Sequence, residues 1–179
     1  TILFTTYTFG DSGVLEKLNA LVAQGVDVRG VAGAAVEAGT AEFPLRIYEE
    51  NGDGIMHEKF FLIDGATALI SSGNIAYQNI RNNLLVVRGD PALAAALEAE
   101  FSQLEQGLRG AAKTSVCPPP DGCAVRDGSV FFSPGSCTTV SSLLENVLAG
   151  TAAYLLMYGI TDNAPMYGEL LALPARGVA

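Results

Sequence analysis

Residues 56–74 read MHEKFFLIDGATALISSGN, and this stretch decides the fold. The unbroken apolar run Phe60–Ile63 is typical of a strand that is covered on both faces, and Asp64-Gly65 is a turn signal. We predict a strand from Met56 to Asp64 and a second strand from Thr67 to Ser71. Because neighbouring strands joined by a short turn pair with each other, their outer ends meet at one edge of the sheet.

Polar residues occupy both of these outer ends and the turn. Side chains two residues apart on a strand share a face, so we expect His57 and Lys59 in a shared cleft, with Phe60 and Leu62 packed on the opposite face. The full pattern is H-x-K-x4-D-x6-S-S-x-N, and the candidate site residues in it are His57, Lys59, Asp64, Ser72 and Asn74.

These residue types suit the cleavage of a phosphodiester, an anion that gains charge on its non-bridging oxygens when phosphorus is attacked. Lys59, Asn74 and the Ser72 hydroxyl can supply fixed donors to those oxygens. A neutral imidazole can attack phosphorus in line and form a phosphohistidine. For Asp64, a catalytic role and a structural role beside Gly65 both stay open.

The pattern resembles the HKD motif of the phospholipase D superfamily, and the resemblance runs from Ile2 to about Phe101. It implies His57 as nucleophile or proton donor, Lys59 and Asn74 as phosphate ligands, Ser72 as a supporting hydrogen-bonding group and Asp64 as an ordering group. Ser71 departs from the motif, which usually has glycine there. We expect no metal and no cofactor.

The flanking patterns predict an α/β/α sandwich with a mixed, largely parallel sheet of the phospholipase D-like kind. A strand in Ile2–Phe9, a helix after Asp11 and a strand in Val26–Val31 form a β-α-β unit, which implies a parallel pair. Further strands are expected at Pro44–Tyr48 and Leu84–Val87. Asp90-Pro91 begins a long amphipathic helix, with an N-cap followed by proline at the first helical position.

An internal duplication is indicated by matches at two offsets. Tyr7, Phe9 and Asp11 match Tyr158, Ile160 and Asp162 at an offset of 151, and Leu18, Ala20, Gly25 and Val26 match Leu170, Ala172, Gly177 and Val178 at 152. We therefore expect a first repeat at 1–110, a linker at 111–128 and the start of a second repeat at 129–179. The sequence reads as cut at both ends, with a second motif beyond Ala179.

Composition restricts the partners. The formal net charge is −9 and the basic residues are scattered singly, whereas non-specific nucleic-acid binding usually rests on clustered Lys and Arg. The apolar stretch Ala152–Ile160 is far shorter than the roughly 20 residues that span a bilayer, so we predict no transmembrane segment.

Two of the three cysteines, Cys117 and Cys123, flank a turn-forming Pro-Pro-Pro-Asp-Gly segment. This spacing is compatible with a disulfide loop, which favours a periplasmic or secreted location. Three unpaired thiols in a cytosolic chain are the alternative.

Three functions follow from these observations. The first is a phosphodiesterase that hydrolyses or transfers phospholipid head groups, the second is an endonuclease of the same superfamily, and the third is a non-catalytic half-domain that serves as a scaffold. The expected partners are a phosphodiester substrate and a second HKD repeat, supplied by the same full-length chain or by a homodimer.

Overall fold

A computed structural model of the chain describes residues 1–34, 36–37, 39–48, 55–76, 82–117, 122–126, 128–132, 136–150 and 165–178. Its main sheet has six strands: β1 (Ile2–Thr6), β2 (Val28–Ala32), β3 (Leu45–Ile47), β4 (Phe60–Ile63), β5 (Thr67–Ser71) and β6 (Leu84–Arg88). The helices are α1 (Ser12–Ala23), α2 (Pro91–Glu105), α3 (Ser136–Glu145) and α4 (Pro165–Ala172). A small hairpin is formed by β7 (Cys123–Val125) and β8 (Gly128–Val130).

The main sheet is mixed, as predicted. Its strand order is β3-β2-β1-β4-β5-β6. Neighbours among β1, β2 and β3 pair in parallel, whereas β4 pairs antiparallel with β1 and β5, and β5 pairs antiparallel with β6. Four strands, namely β1, β2, β3 and β5, therefore run in the same direction.

Helices cover both faces of this sheet, which confirms the α/β/α sandwich. Ile2 and Phe4 of β1 pack in a cluster with Leu15 and Leu18 of α1. Leu3, between them in sequence, packs on the other face in the cluster that contains apolar residues of α2. This alternation follows from the two-residue period of a strand.

Both predicted helix starts are confirmed. The Asp11 side chain accepts a hydrogen bond from the backbone N–H of Val14, 3.0 Å away. Asp90 accepts from the N–H groups of Ala92 and Leu93 at 3.1 and 3.0 Å, and Pro91 is the first helical residue. Each carboxylate thus satisfies N–H groups that have no partner within the helix.

The described part of segment 111–128, which we expected to be a linker, packs against α2. Cys117 and Cys123 are joined by a disulfide, with Cα atoms 4.8 Å apart. Val125 of β7, together with Val130 and Phe132, contacts the apolar cluster beneath α2. These apolar side chains gain by leaving water, which favours the contact with the helix, and the bounds of the linker stay a prediction.

The C-terminal part repeats a helix ending from the first part. The N–H groups of Gln24, Gly25 and Val26 donate to the carbonyls of Leu21, Val22 and Leu21. At an offset of 152, those of Arg176, Gly177 and Val178 donate to Leu173, Pro174 and Leu173. Gly25 and Gly177 both have positive φ, 85° and 75°, the left-handed conformation that commonly ends a helix.

The sequence analysis predicted no transmembrane segment. In the part of the chain that the structure describes, no helix is long and apolar enough to cross a membrane. The apolar segment 154–160, including Tyr158 of the duplication, lies outside the described residues.

Candidate active site

The His57-Glu58-Lys59 segment precedes β4 rather than forming part of it. We predicted a strand from Met56, but β4 begins at Phe60. On the β1 side, the Phe60 N–H donates to the Thr5 hydroxyl oxygen at 3.1 Å, and β1 ends at Thr6, so the segment has no strand partner there. On the β5 side, the Lys59 carbonyl still accepts from the Ser71 N–H at 3.0 Å.

Lys59 lies in a cleft of about 210 Å³ at this edge of the sheet. The polar groups that line the cleft with it come from Thr5, Ser71, Gly73 and Asn74. Only 9% of Lys59 is exposed, and its ammonium donates to the carbonyl oxygen of His57 at 2.7 Å. Burial lowers the pKa of Lys59 to about 8, because the charged form loses hydration.

The His57 imidazole lies at the surface beside this cleft, with its ring centroid 5.0 Å from that of Tyr7. Lys59 lines the cleft and the imidazole next to it is exposed, so a single binding cleft shared by the two side chains stays a prediction. Phe60 and Leu62 pack beneath α2, as predicted. Partial desolvation, followed by the positive charge of Lys59, lowers the pKa of His57 from its usual 6.5, so the neutral imidazole predominates at pH 7.

A glycine makes room for the backbone that leads to His57. A methyl group at Gly33 would overlap the carbonyl oxygen of Met56 and would lie 2.6 Å from Cδ2 of Tyr7. The loop after β2 therefore passes directly against the residue that precedes the imidazole.

The motif serines and Asn74 lie at the end of β5, which Ser71 terminates. The Ser72 hydroxyl accepts from the Asn83 N–H at 2.9 Å and donates to Oδ1 of Asn82 at 3.2 Å. Ser71, at the position of the usual glycine, accepts from the Gly73 N–H at 2.9 Å. Asn74 lines the cleft with Lys59, whereas the exposed Ser72 ties the turn to the start of β6.

Asp64 lies at the other end of β4 from His57 and Lys59. It adopts a positive φ of 51° in the turn that leads to β5, and its backbone N–H donates to the carbonyl of Thr1 at 2.9 Å. Five residues of nearly extended chain separate Asp64 from Lys59 and span roughly 16 Å, so the structure does not bring Asp64 to the cleft. Its position corresponds to the structural alternative.

Two buried threonines of β1 support the site, and the sequence analysis did not select them. The Thr6 hydroxyl accepts from the Ile75 N–H at 3.1 Å and donates to the Thr8 carbonyl at 2.7 Å. Thr5 holds the Phe60 N–H on the neighbouring strand. The available signal was two adjacent hydroxyl residues at the end of an otherwise apolar strand.

A buried cluster of charged residues lies behind the motif. Lys113 Nζ is 3.2 Å from Oε1 of Glu58 and also pairs with Glu100 on α2. Glu100 is completely buried. Burial, followed by the negative charge of Glu100, raises the pKa of Glu58 to about 7, although the positive charge of Lys113 acts in the opposite direction. Among the described residues, no three His, Cys, Asp or Glu side chains form a group that could hold a metal ion.

Residues 1–105, which carry this sheet edge and its motif, match the family model described as "Cardiolipin synthase, PLD-like domain". The chain belongs to the phospholipase D-like domain family. Domains of this family are phosphodiesterases and usually work as dimers or paired repeats. No curated protein matches the chain.

Two solved structures are similar to the phospholipase D-like chain. One is the phospholipase D family member Nuc from Salmonella typhimurium, at 24% identity and a TM-score of 0.49, over 57% of this chain and 75% of Nuc. The other is NucT from Helicobacter pylori, at 12% identity and a TM-score of 0.47, over 59% of this chain and 78% of NucT.

Proposed function

We propose that the chain contributes one of two motifs to a phospholipase D-type active site that cleaves a phosphodiester through a phosphohistidine at His57. The observation that carries this proposal is the buried Lys59 ammonium, which is bonded to the backbone carbonyl of His57 and therefore lies next to the residue that carries the imidazole. Among the described residues, no carboxylate forms an ion pair with Lys59, so its charge is available to an anionic substrate.

In the first step, the lone pair of an imidazole nitrogen of His57 forms a P–N bond, and the P–O bond to the leaving group breaks. The departing alkoxide takes a proton from an acid outside this motif. In the second step, water or an alcohol gives up its proton and attacks phosphorus, and the P–N bond breaks. Lys59 and Asn74 bind the non-bridging oxygens and stabilise the charge that develops there.

These two reaction steps need an acid and a base, and therefore a second proton-transfer group, but the chain has a single histidine. We propose that a second repeat supplies it. The identical hydrogen bonds at Leu21–Val26 and Leu173–Val178 support this duplication. At the same offset, the counterparts of His57 and Lys59 would fall about 30 residues past Ala179, and a homodimer would supply the same groups from its second copy.

For the substrate, we propose a phospholipid head-group diester. The description of the matching family as that of cardiolipin synthase supports a lipid substrate. The net charge of −9 and the scattered basic residues also favour a small diester over a nucleic-acid backbone. An endonuclease of the same superfamily is the alternative.

Two parallel assays test this proposal on the chain extended by a full repeat. One measures head-group release from phospholipid vesicles and the other measures nicking of plasmid DNA. We expect head-group release that is lost in the His57→Asn variant. Nuclease activity alone would overturn the lipid assignment. The absence of both activities would support a scaffold function.

The need for a second motif is tested by comparing the 179-residue chain with the extended chain at concentrations where both are monomeric. We expect turnover only in the extended chain, or in a dimer of the short one. Robust turnover by the short monomer would show that one motif is sufficient.

We also propose that the protein resides in an oxidising compartment outside the cytoplasm, supported by the Cys117–Cys123 disulfide. Thiol titration of protein isolated without reductant should find one reactive group before reduction and three after it. Three reactive thiols at the outset would contradict this location.

A further inference from the structure

We propose that Glu58 is a positioning residue, held by Lys113, that fixes the backbone presenting His57 and Lys59. This inference rests on the function proposed above. It assigns a role to the variable residue within the H-x-K motif, whose side chain points away from the cleft.

The segment that carries the imidazole has few backbone restraints. Residues 55–59 belong to no strand, and of these only Lys59 continues the pairing with β5. The side chain of Lys59 is itself bonded to the His57 carbonyl, within the same segment. Side-chain contacts must therefore contribute to holding the segment against the rest of the domain.

Two side chains on the reverse face provide such contacts. Met56 is buried in the apolar cluster beneath α2. The Glu58 carboxylate reaches the same side and meets the Lys113 ammonium at 3.2 Å. Glu58 lies between the two motif residues, so any movement of its backbone moves His57 and Lys59 together.

Lys113 is a rigid partner because its surroundings are fixed. Its side chain is 5% exposed and also pairs with the completely buried Glu100. The next residue, Thr114, is bonded to the Gln103 side chain of α2 in both directions: its N–H donates to Oε1 at 2.7 Å, and its carbonyl accepts from Nε2 at 2.8 Å. Helix α2 thus holds the lysine that holds the motif.

This arrangement predicts an effect on geometry rather than on substrate contact. Above pH 7, where the Glu58 carboxyl group is ionised, replacing it with an amide in Glu58→Gln preserves the size of the side chain but turns the ion pair with Lys113 into a weaker hydrogen bond from the ammonium to a neutral oxygen. A displacement of about 1 Å in a reacting group can reduce the rate by about a hundredfold. We therefore expect a loss of tenfold to about a hundredfold in kcat/KM.

The test compares Glu58→Gln with Glu98→Gln, a control on the exposed face of α2. The kcat and KM are measured in the extended chain. The 179-residue chain, which has one histidine, supplies a second readout: the ring NMR signals of His57, recorded with and without inorganic phosphate. We expect Glu58→Gln to shift or broaden these signals and to weaken phosphate binding, while Glu98→Gln changes neither.

The outcomes separate this proposal from the one on which it rests. If the wild type turns over substrate and Glu58→Gln leaves kcat/KM and the His57 signals unchanged, the positioning role is overturned. If the wild type shows no turnover of any diester, the proposed function fails, and the His57 signals and phosphate affinity alone decide the role of Glu58. If Glu58→Gln does not fold, Gln103→Ala loosens Lys113 indirectly, and unchanged signals in that variant overturn the proposal.

Discussion

Two lysines on opposite sides of the motif segment experience different surroundings. Lys59 faces the cleft, where burial lowers its pKa to about 8, and it makes no ion pair with a described carboxylate. Lys113, on the reverse side, lies between Glu58 and Glu100. The comparison shows the same residue type in two settings: one ammonium lines a cleft without a described carboxylate partner, and the other is bound between two carboxyl groups of the fold.

The largest expected effect is the loss of the nucleophile beside Lys59. In the extended chain, His57→Asn should reduce turnover by at least about a thousandfold, because an amide cannot form the covalent intermediate. The measurement is kcat for head-group release, with folding checked by circular dichroism. Turnover close to that of the wild type would exclude His57 from the catalytic role.

Exchanging each lysine for alanine tests the comparison directly. Lys59→Ala should lower kcat by about a hundredfold to a thousandfold through weaker stabilisation of transition-state charge, with a small change in stability. Lys113→Ala should instead lower the free energy of unfolding by about 3–5 kcal/mol, since it leaves buried carboxylates without their partner. Lys17→Ala, at an exposed position of α1, is the control for both measurements. Equal losses of stability in Lys59→Ala and Lys113→Ala would contradict the distinction between the two lysines.

The reverse side should also show a characteristic dependence of stability on pH. Folding raises the pKa of Glu58 from 4.5 to about 7, so the folded state binds the proton more tightly. The resulting stabilisation is present below pH 4.5 and is lost as the pH rises to about 7, by up to about 3 kcal/mol.

Glu58→Gln removes this titration. Urea unfolding should show that the free energy of unfolding of the variant, relative to that of the wild type, is higher at pH 8 than at pH 4.5. For Glu98→Gln the difference should stay constant. A constant difference for Glu58→Gln as well would show that Glu58 titrates normally.

The cleft side should govern the pH dependence of the rate. Since the pKa of His57 is below 6.5 and that of Lys59 is about 8, kcat/KM should rise through the first value and fall through the second, about tenfold per pH unit on each limb. Lys59→Arg keeps the cation at all these pH values and should remove the alkaline limb. An alkaline limb that persists in this variant would assign it to another group.

Much of the fold could be predicted because periodic apolar residues and caps are local signals. The strand Thr67–Ser71 was predicted with the observed bounds, and both helix starts follow from Asp11 and Asp90. The predicted start of β4 was wrong because the pairing of β4 with β1 stops at Phe60 and Thr5, and this long-range pairing is not encoded in the motif itself.

The site was predictable as a set of residue types but not as a geometry. The pattern selected Lys59 and Asn74, which line the cleft, yet it grouped Asp64 with residues at the opposite end of the strand. Glu58 escaped notice because its partners, Glu100 and Lys113, are distant in sequence. Long-range ion pairs leave no periodic signature in a single sequence.

The close passage of Gly33 against Met56 has a consequence for mutational scanning of this protein. A side chain as small as that of alanine cannot fit without displacing the backbone that leads to His57. A scan scored by activity would therefore rank Gly33 with the chemically active residues, although it has no functional group. Titrating the imidazole in such a variant would distinguish a displaced His57 from the loss of a catalytic group.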